Sequence, residues 1–431
     1  MSREGDEKNL WQREHRVGAG TRLTRRGALA GAALFGAGVA VDRVLPSGDA
    51  ETDPQAGSSS STAEFYGPHQ AGIATSAQEF LHFAAFDVTS GSADDLRELL
   101  HEWTLAAAEL TKGREPGAVP RDPTAVPVDT GEALGLGPCG LTLTFGFGPS
   151  LFANGDRFGL ASRRPAALRP LPSFAGDSLD PARSEGDICV QACAEHPQVA
   201  FHAIHVLARI ASGAAVLRWS QGGFGRTSSI SRSQPTPRNL MGFKDGTNNI
   251  RGEEDEAMDR FVWVQPSDGA GWMAGGTYLI ARRIKMLLDV WDATSLEGQE
   301  RAIGRGKASG APLGQEDEYA PVDLEARENG EPTIPIDAHV RLASAHNNDG
   351  QRILRRGYSY SEPTAPGSGE IDAGLFFISF QRDPQRQFVP MQRRLTASDA
   401  LTRHLLHTAS GIFACPPGVR RGGFVGEGMF A

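Results

Sequence analysis

Strands and helices follow one another in this chain without a regular strand–helix–strand rhythm, and they do so twice. The two runs flank a stretch rich in Gly, Ser and Pro at 221–238. Regular alternation would predict a doubly wound parallel sheet, whereas irregular alternation predicts an α+β fold. In the first run, 83–88, 141–145 and 214–220 predict strands. A helix is predicted over 93–111, with apolar residues at Leu96, Leu99, Leu100 and Leu105. Residues 188–211 predict an amphipathic helix, with Pro197 as a kink or a break near its start. In the second run, 275–291 predicts mostly strand, interrupted near Arg282 and Arg283. A short helix over 294–303 has Thr294 as cap and Glu297 three residues on. Residues 374–381 predict a strand and 397–409 a helix.

The N-terminus reads as a leader. Arg25 and Arg26 precede an apolar run over about 28–41 that is too short to span a bilayer comfortably. The segment resembles a twin-arginine signal, with small residues directly after the arginines as a departure from the usual pattern. That resemblance implies export of a folded protein by the twin-arginine machinery, to the periplasm or the extracellular space. Residues 46–63 are rich in Ser, Gly, Asp and Thr and predict a flexible linker. The expected division is therefore 1–63 leader and linker, 64–230 N-terminal domain and 231–431 C-terminal domain. A formal charge of −9 argues against a nucleic-acid partner. Four cysteines are too few for a disulfide scaffold, and Cys189 and Cys193, four apart on a predicted helix, are poorly placed to bridge.

Chemistry concentrates in three short words. Asp245 stands in a glycine-framed turn, Gly242-Phe243-Lys244-Asp245-Gly246. About a hundred residues later comes Asp337-Ala338-His339-Val340-Arg341, then Ile353-Leu354-Arg355-Arg356-Gly357-Tyr358. An Asp-Gly pair alone is an ordinary turn signal. A carboxylate, one histidine and one arginine in this order are the parts needed to hold a haem iron and split a peroxide on it. The constellation resembles the dye-decolorizing peroxidase family. The resemblance runs from Tyr66 nearly to the C-terminus and includes Tyr66–Ile73, 141–152 and Asp187–Gln191. It implies two ferredoxin-like domains with antiparallel sheets. It also implies haem b, mainly in the C-terminal domain, and hydrogen peroxide and organic reductants as substrates. There is no C-x-x-C-H, so thioether attachment of haem is not expected. The leader and Tyr66–Ile73 most resemble the twin-arginine-exported deferrochelatase/peroxidase branch. Within that branch the alternative reading is release of iron from haem, with iron-uptake components as partners. A homo-oligomer is left open.

The resemblance assigns roles residue by residue. His339 is the expected iron ligand, with His346 in a polar loop as its rival. Its second ring nitrogen calls for an acceptor, which raises ligand basicity. Asp383, just past the strand ending at Phe380, resembles that acceptor and reads equally as an exposed strand-end acid. Asp245 is the expected proton shuttle on the opposite face of the haem, since an unperturbed aspartate is ionised above about pH 4. Arg355 supplies fixed positive charge there, with Arg356 as the alternative. The 303–310 loop fails as a phosphate loop, because Arg301 and Ala308 stand where glycine and Ser/Thr belong. Its basic residues read as propionate partners or as a solvated loop. Trp291, Tyr358 and Tyr360 are candidates for carrying oxidising equivalents outward, or for packing. The pairs His202/His205 and His404/His407, each three apart, lack the rest of a metal motif.

Overall fold

The structure is a computed structural model. It describes residues 61–431 except 118–121, 154, 365, 366 and 368. The leader and all but the end of the linker lie outside the described residues.

The N-terminal half runs β1 (Phe80–Val88), α1 (Ala93–Leu110), β2 (Thr142–Phe147), β3 (Ile188–Ala194), α2 (Pro197–Ile210) and β4 (Ala215–Arg226). Its sheet order, β2-β3-β1-β4, is antiparallel throughout and ferredoxin-like. In the C-terminal half, α3 (Asp255–Phe261) precedes β5 (Thr277–Met286). Then come α4 (Leu288–Asp292), α5 (Leu296–Ile303), the hairpin β6 (Arg327–Glu328) and β7 (Glu331–Pro332), and α6 (His339–Leu342). The half closes with β8 (Leu354–Arg355), β9 (Tyr358–Glu362), β10 (Asp372–Gln381), α7 (Phe388–Ser398) and β11 (Leu405–Cys415). The order β11-β5-β10-β9 repeats that of the first half, and β8 continues the β9 side of β10. Two thin seams join the sheets into a closed ring. One is Ala414 opposite Phe147; the other pairs Phe224 with Ser359 and Arg226 with Tyr358.

Period-two alternation sorts every strand between two cores. Phe83, Ala85, Leu279, Ala281, Phe376, Ile378 and Phe413 point into the ring. Ala84, Phe86, Ile280 and Ile412 point outward, and Leu96, Leu99 and Trp103 of α1 join them in one cluster. The outward face of the C-terminal sheet is where the site is built.

Several expectations change. Ile188–Ala194 is a strand, not the first half of a helix; all seven residues are buried. Pro197 starts the helix at its first turn, where a missing N–H costs nothing, and His196 caps it. Cys189 and Cys193 therefore lie four residues apart on a strand, roughly 13 Å, beyond disulfide reach. Both are free thiols. Residues 397–409 are not one helix: α7 ends at Ser398, a 3-10 turn covers Ala400–His404, and Leu405 begins β11. Arg282 and Arg283 do not interrupt β5, because each is compensated in place. Arg282 is ion-paired with Asp177, and Arg283 donates to Asp372 at 2.8 Å and stacks on Tyr360 at 4.1 Å. The cap of α5 is Ser295 rather than Thr294.

Glu185, beside the start of β3, carries a pH-dependent cost. Burial, partly offset by Arg218, pushes its carboxyl up from 4.5 to about 7. Below the unfolded value both states hold the proton. As pH rises from there to about 7 the unfolded chain ionises first, so stability falls. Glu185→Gln is expected to leave stability unchanged at pH 4 and raise it at pH 8, by at most about 3 kcal/mol. Denaturant unfolding at the two pH values checks this, and an equal change at both would refute it.

Candidate active site

The Asp245 turn is a closed hairpin. Asn239 N–H donates to Phe243 O at 3.0 Å and Asp245 N–H to Pro237 O at 2.9 Å. The Asn239 side chain fills the turn: its Oδ1 accepts from Met241 N at 3.0 Å, and its Nδ2 donates to Asp245 Oδ2 at 3.2 Å. Gly246 is left-handed, with φ of 90°, and a Cβ there would meet Ser228 Cα at 2.9 Å. Glycine is thus required by both conformation and space. Lys244 turns away and pairs with Glu318, which also accepts from Thr247 at 3.1 Å. Burial alone would raise the Glu318 carboxyl, but Lys244, Thr236 and Thr247 together hold it below its usual range.

Arg355 arrives from β8. Its backbone is gripped at both ends by Asn249, which donates to Arg355 O and accepts from Arg355 N, each at 2.8 Å. Arg355 Nη1 then donates to Asp245 Oδ1 at 2.7 Å. Arg356 points the other way. It is fully buried and tied to Thr75 O, Ser76 O and Gln78 Oε1 of the N-terminal half. Of the two arginines, only Arg355 meets Asp245. Register places Arg355 opposite Ser379 on β10, hence on the face that also carries Phe377 and Leu375. Those two apolar side chains remain partly exposed on a strand paired along both edges.

His339 opens α6. Arg341 braces this turn through Ile334 O and Leu324 O. Gly304, ending α5, lets Val340 approach so closely that a Cβ would sit 2.4 Å from Val340 Cγ1. The acceptor for His339 Nδ1 is Asp399 Oδ2, at 2.6 Å. It is not Asp383, whose Oδ1 accepts instead from Gln385 N at 2.9 Å in the turn after β10. Asp399 also caps the following 3-10 turn, with Oδ1 accepting from Leu401 N at 2.8 Å. Burial works against charge on His339, but Asp399, by charge and by hydrogen bond, carries its affinity for a proton above the usual value. Arg355 and Asp245 lie near enough to act on the same imidazole, with opposite signs. His346 is exposed on the next turn and makes no such contact.

The residues fit a haem. His339 is 35% accessible while Asp399 behind it is 3% accessible, so Nε2 is the nitrogen left for a ligand. Asp245 and Arg355 keep 14% and 28% accessibility. Leu375 and Phe377 leave partly exposed apolar surface on the same sheet face as Arg355, which suits a flat apolar ring. Among the described residues no cluster of His, Cys, Asp and Glu is arranged to hold a bare metal ion. His202 and His205 are occupied by Glu132. Of the 303–310 loop, Arg305 is spent on Gly310 O and Glu318 O, and Lys307 on Gln299 Oε1. Trp291 is buried, its N–H bonded to Met241 O at 3.0 Å, and packs edge-on against Phe243.

Two antiparallel ferredoxin-like sheets, with a carboxylate-backed imidazole and an Asp–Arg pair acting on it, define a haem peroxidase. Comparison with known proteins reaches the same class. The family model "Dyp-type peroxidase, N-terminal" matches residues 70–225, and "Dyp-type peroxidase, C-terminal" matches 236–420. The chain is 39% identical over 432 residues to the dye-decolorizing peroxidase of Thermobifida fusca, covering 94% of this chain and 97% of that one. It is 37% identical over 363 residues to the deferrochelatase of Escherichia coli K12, covering 83% and 84%. A solved oxyferrous/water complex of DtpA from Streptomyces lividans superposes with a TM-score of 0.80 at 42% identity, covering 88% of this chain and 100% of that one. The chain belongs to the Dyp-type peroxidase family, and its cofactor is haem.

Proposed function

We propose that the chain is an exported haem b peroxidase in which His339 holds the iron and Asp245 and Arg355 handle peroxide. The observation that carries this reading is the Asp245–Arg355 pair, held at 2.7 Å and near enough to His339 to act on its imidazole. Bound haem supplies an iron that takes up the oxidising equivalents of hydrogen peroxide and returns them singly to an organic donor. The protein's part is positioning and proton transfer. Asp399 accepts from His339 Nδ1, which fixes the tautomer and leaves the Nε2 lone pair for the metal.

Asp245 accepts two hydrogen bonds, from Arg355 and Asn239, and a carboxylate has about four acceptor sites. It can therefore take a proton from the inner oxygen of peroxide and give it to the outer one. Arg355 holds a fixed positive charge beside Asp245 that would stabilise negative charge developing on peroxide there. The twin-arginine leader, read from Arg25 and Arg26, supports export of the folded protein.

The test is a turnover experiment with haem-loaded protein, hydrogen peroxide and an organic donor, following donor, iron and porphyrin together. Donor oxidation with iron retained is the expected result. Iron release with intact metal-free porphyrin and no donor oxidation would favour the activity for which the E. coli relative is named.

A further inference from the structure

We propose that the cleft lined by residues 66–69, Trp272 and the C-terminal segment 416–428 is a binding site for a planar aromatic anion. The cleft encloses about 790 Å³, within the range of small-molecule sites. None of its lining residues belongs to the Asp245–Arg355–His339 group, so the proposal does not rest on the peroxidase reading.

Three aromatic rings, Tyr66, Trp272 and Phe424, line it, and all three are only partly buried. Large rings left half-covered together in one concavity are unusual for a surface that binds nothing. Trp272 has already spent its N–H on Arg163 O at 2.8 Å, and its ring is braced on Phe152 at 6.0 Å. What remains toward the cleft is apolar π surface. Arg421 lies over the Tyr66 ring at 5.1 Å, and Arg420 is its neighbour. Both are exposed, and neither forms a salt bridge among the described residues. The lining holds one carboxylate, Glu427, which is engaged with Phe424 N at 3.3 Å. A local excess of positive charge on a chain of net charge −9 selects for an anion. Guanidinium beside ring faces selects for one that is flat and aromatic.

The walls are set before any ligand arrives. Gly67 N donates to Val419 O at 3.1 Å, and Gly418 N to Pro68 O at 3.0 Å. A Cβ on Gly418 would come within 2.3 Å of Gly67 O, so the two segments meet backbone to backbone. His69 is stacked flat on Trp263 at 3.8 Å, with its Nδ1 held by Gly275 O at 2.7 Å. Binding therefore orders little, which favours affinity.

The experiment is calorimetric titration of the haem-loaded full chain, without peroxide, with 2-naphthalenesulfonate. Methanesulfonate and 2-naphthylmethylammonium serve as the charge-only and charge-reversed ring controls. One naphthalenesulfonate per chain is expected, with neither control competing. Arg421→Glu and Trp272→Ala should each weaken it by about tenfold or more, and Trp272→Phe by much less. Since Trp272 is packed against Phe152, the exposed Arg421→Glu carries the test if Trp272→Ala fails to fold. No binding, unchanged affinity in Arg421→Glu, or equal binding of the cation would overturn the proposal. So would a changed affinity, in either direction, in Asp245→Asn, which would place the probe in the haem cavity.

Discussion

Asp245→Asn is expected to slow the reaction of the haem-loaded protein with hydrogen peroxide by about 100- to 10,000-fold, with the haem absorption of the resting protein unchanged. The substitution preserves volume, and the amide oxygen can still accept from Arg355 Nη1, which lies 2.7 Å from the carboxylate now. The side chain keeps its volume and its contact with Arg355; it loses the weaker hydrogen bond from Asn239 Nδ2, which would face the new NH2, and the capacity to take up and return a proton. That isolates proton transfer from packing. The corresponding increase in barrier is about 2.7–5.5 kcal/mol. The ion pair contributes little to stability by comparison, since both side chains are partly open to solvent and such pairs are worth about 0–1 kcal/mol. Stopped-flow absorbance at several peroxide concentrations gives the second-order constant. A variant as fast as the parent would remove Asp245 from the reaction and leave proton transfer to solvent or to another group.

How much of this was legible in the sequence depended on whether the determinants were local. The turn holding Asp245 was, because its glycines and Asn239 close it within eight residues. So were β1, α1 and β10, whose apolar spacing is uninterrupted. The strand β3 was not: buried on both faces, Ile188–Ala194 shows no alternation, and an apolar run that short does not separate strand from helix. The same ambiguity hid the passage from α7 into β11 and, with it, the capping aspartate between them. Read as the interior of a helix, Asp399 had no reason to face His339. Asp383, at a visible strand end, took its place in the reading. The choice between Arg355 and Arg356 rests on a contact with Thr75, Ser76 and Gln78 from the other half of the chain, and no local pattern announces that. Closure of two sheets into one ring rests on three paired positions, again invisible to periodicity.

His339→Ala is expected to abolish tight haem binding, and the acceptor behind it is tested by two further variants. Asp399→Asn should weaken haem binding about 10–100-fold, whereas Asp383→Ala should leave it unchanged. Asp399 serves two donors with its two oxygens, His339 Nδ1 at 2.6 Å and Leu401 N at 2.8 Å. Asparagine has one acceptor for the two. If its oxygen keeps the cap on Leu401, its NH2 faces His339 Nδ1 and favours the tautomer with the proton on Nε2, where the metal should bind. If its oxygen turns to His339, the 3-10 turn loses its cap, at a cost of about 0.5–2 kcal/mol. Either way the imidazole is less ready to ligate, and neither outcome requires the chain to unfold. Haem titration followed by absorbance, with the rate of haem transfer to a competing apoprotein, separates the variants. Equal weakening in Asp383→Ala would return the acceptor role to the strand end. Normal affinity in Asp399→Asn would mean that the ring is oriented by the packing of Val340 against Gly304 and not by the carboxylate.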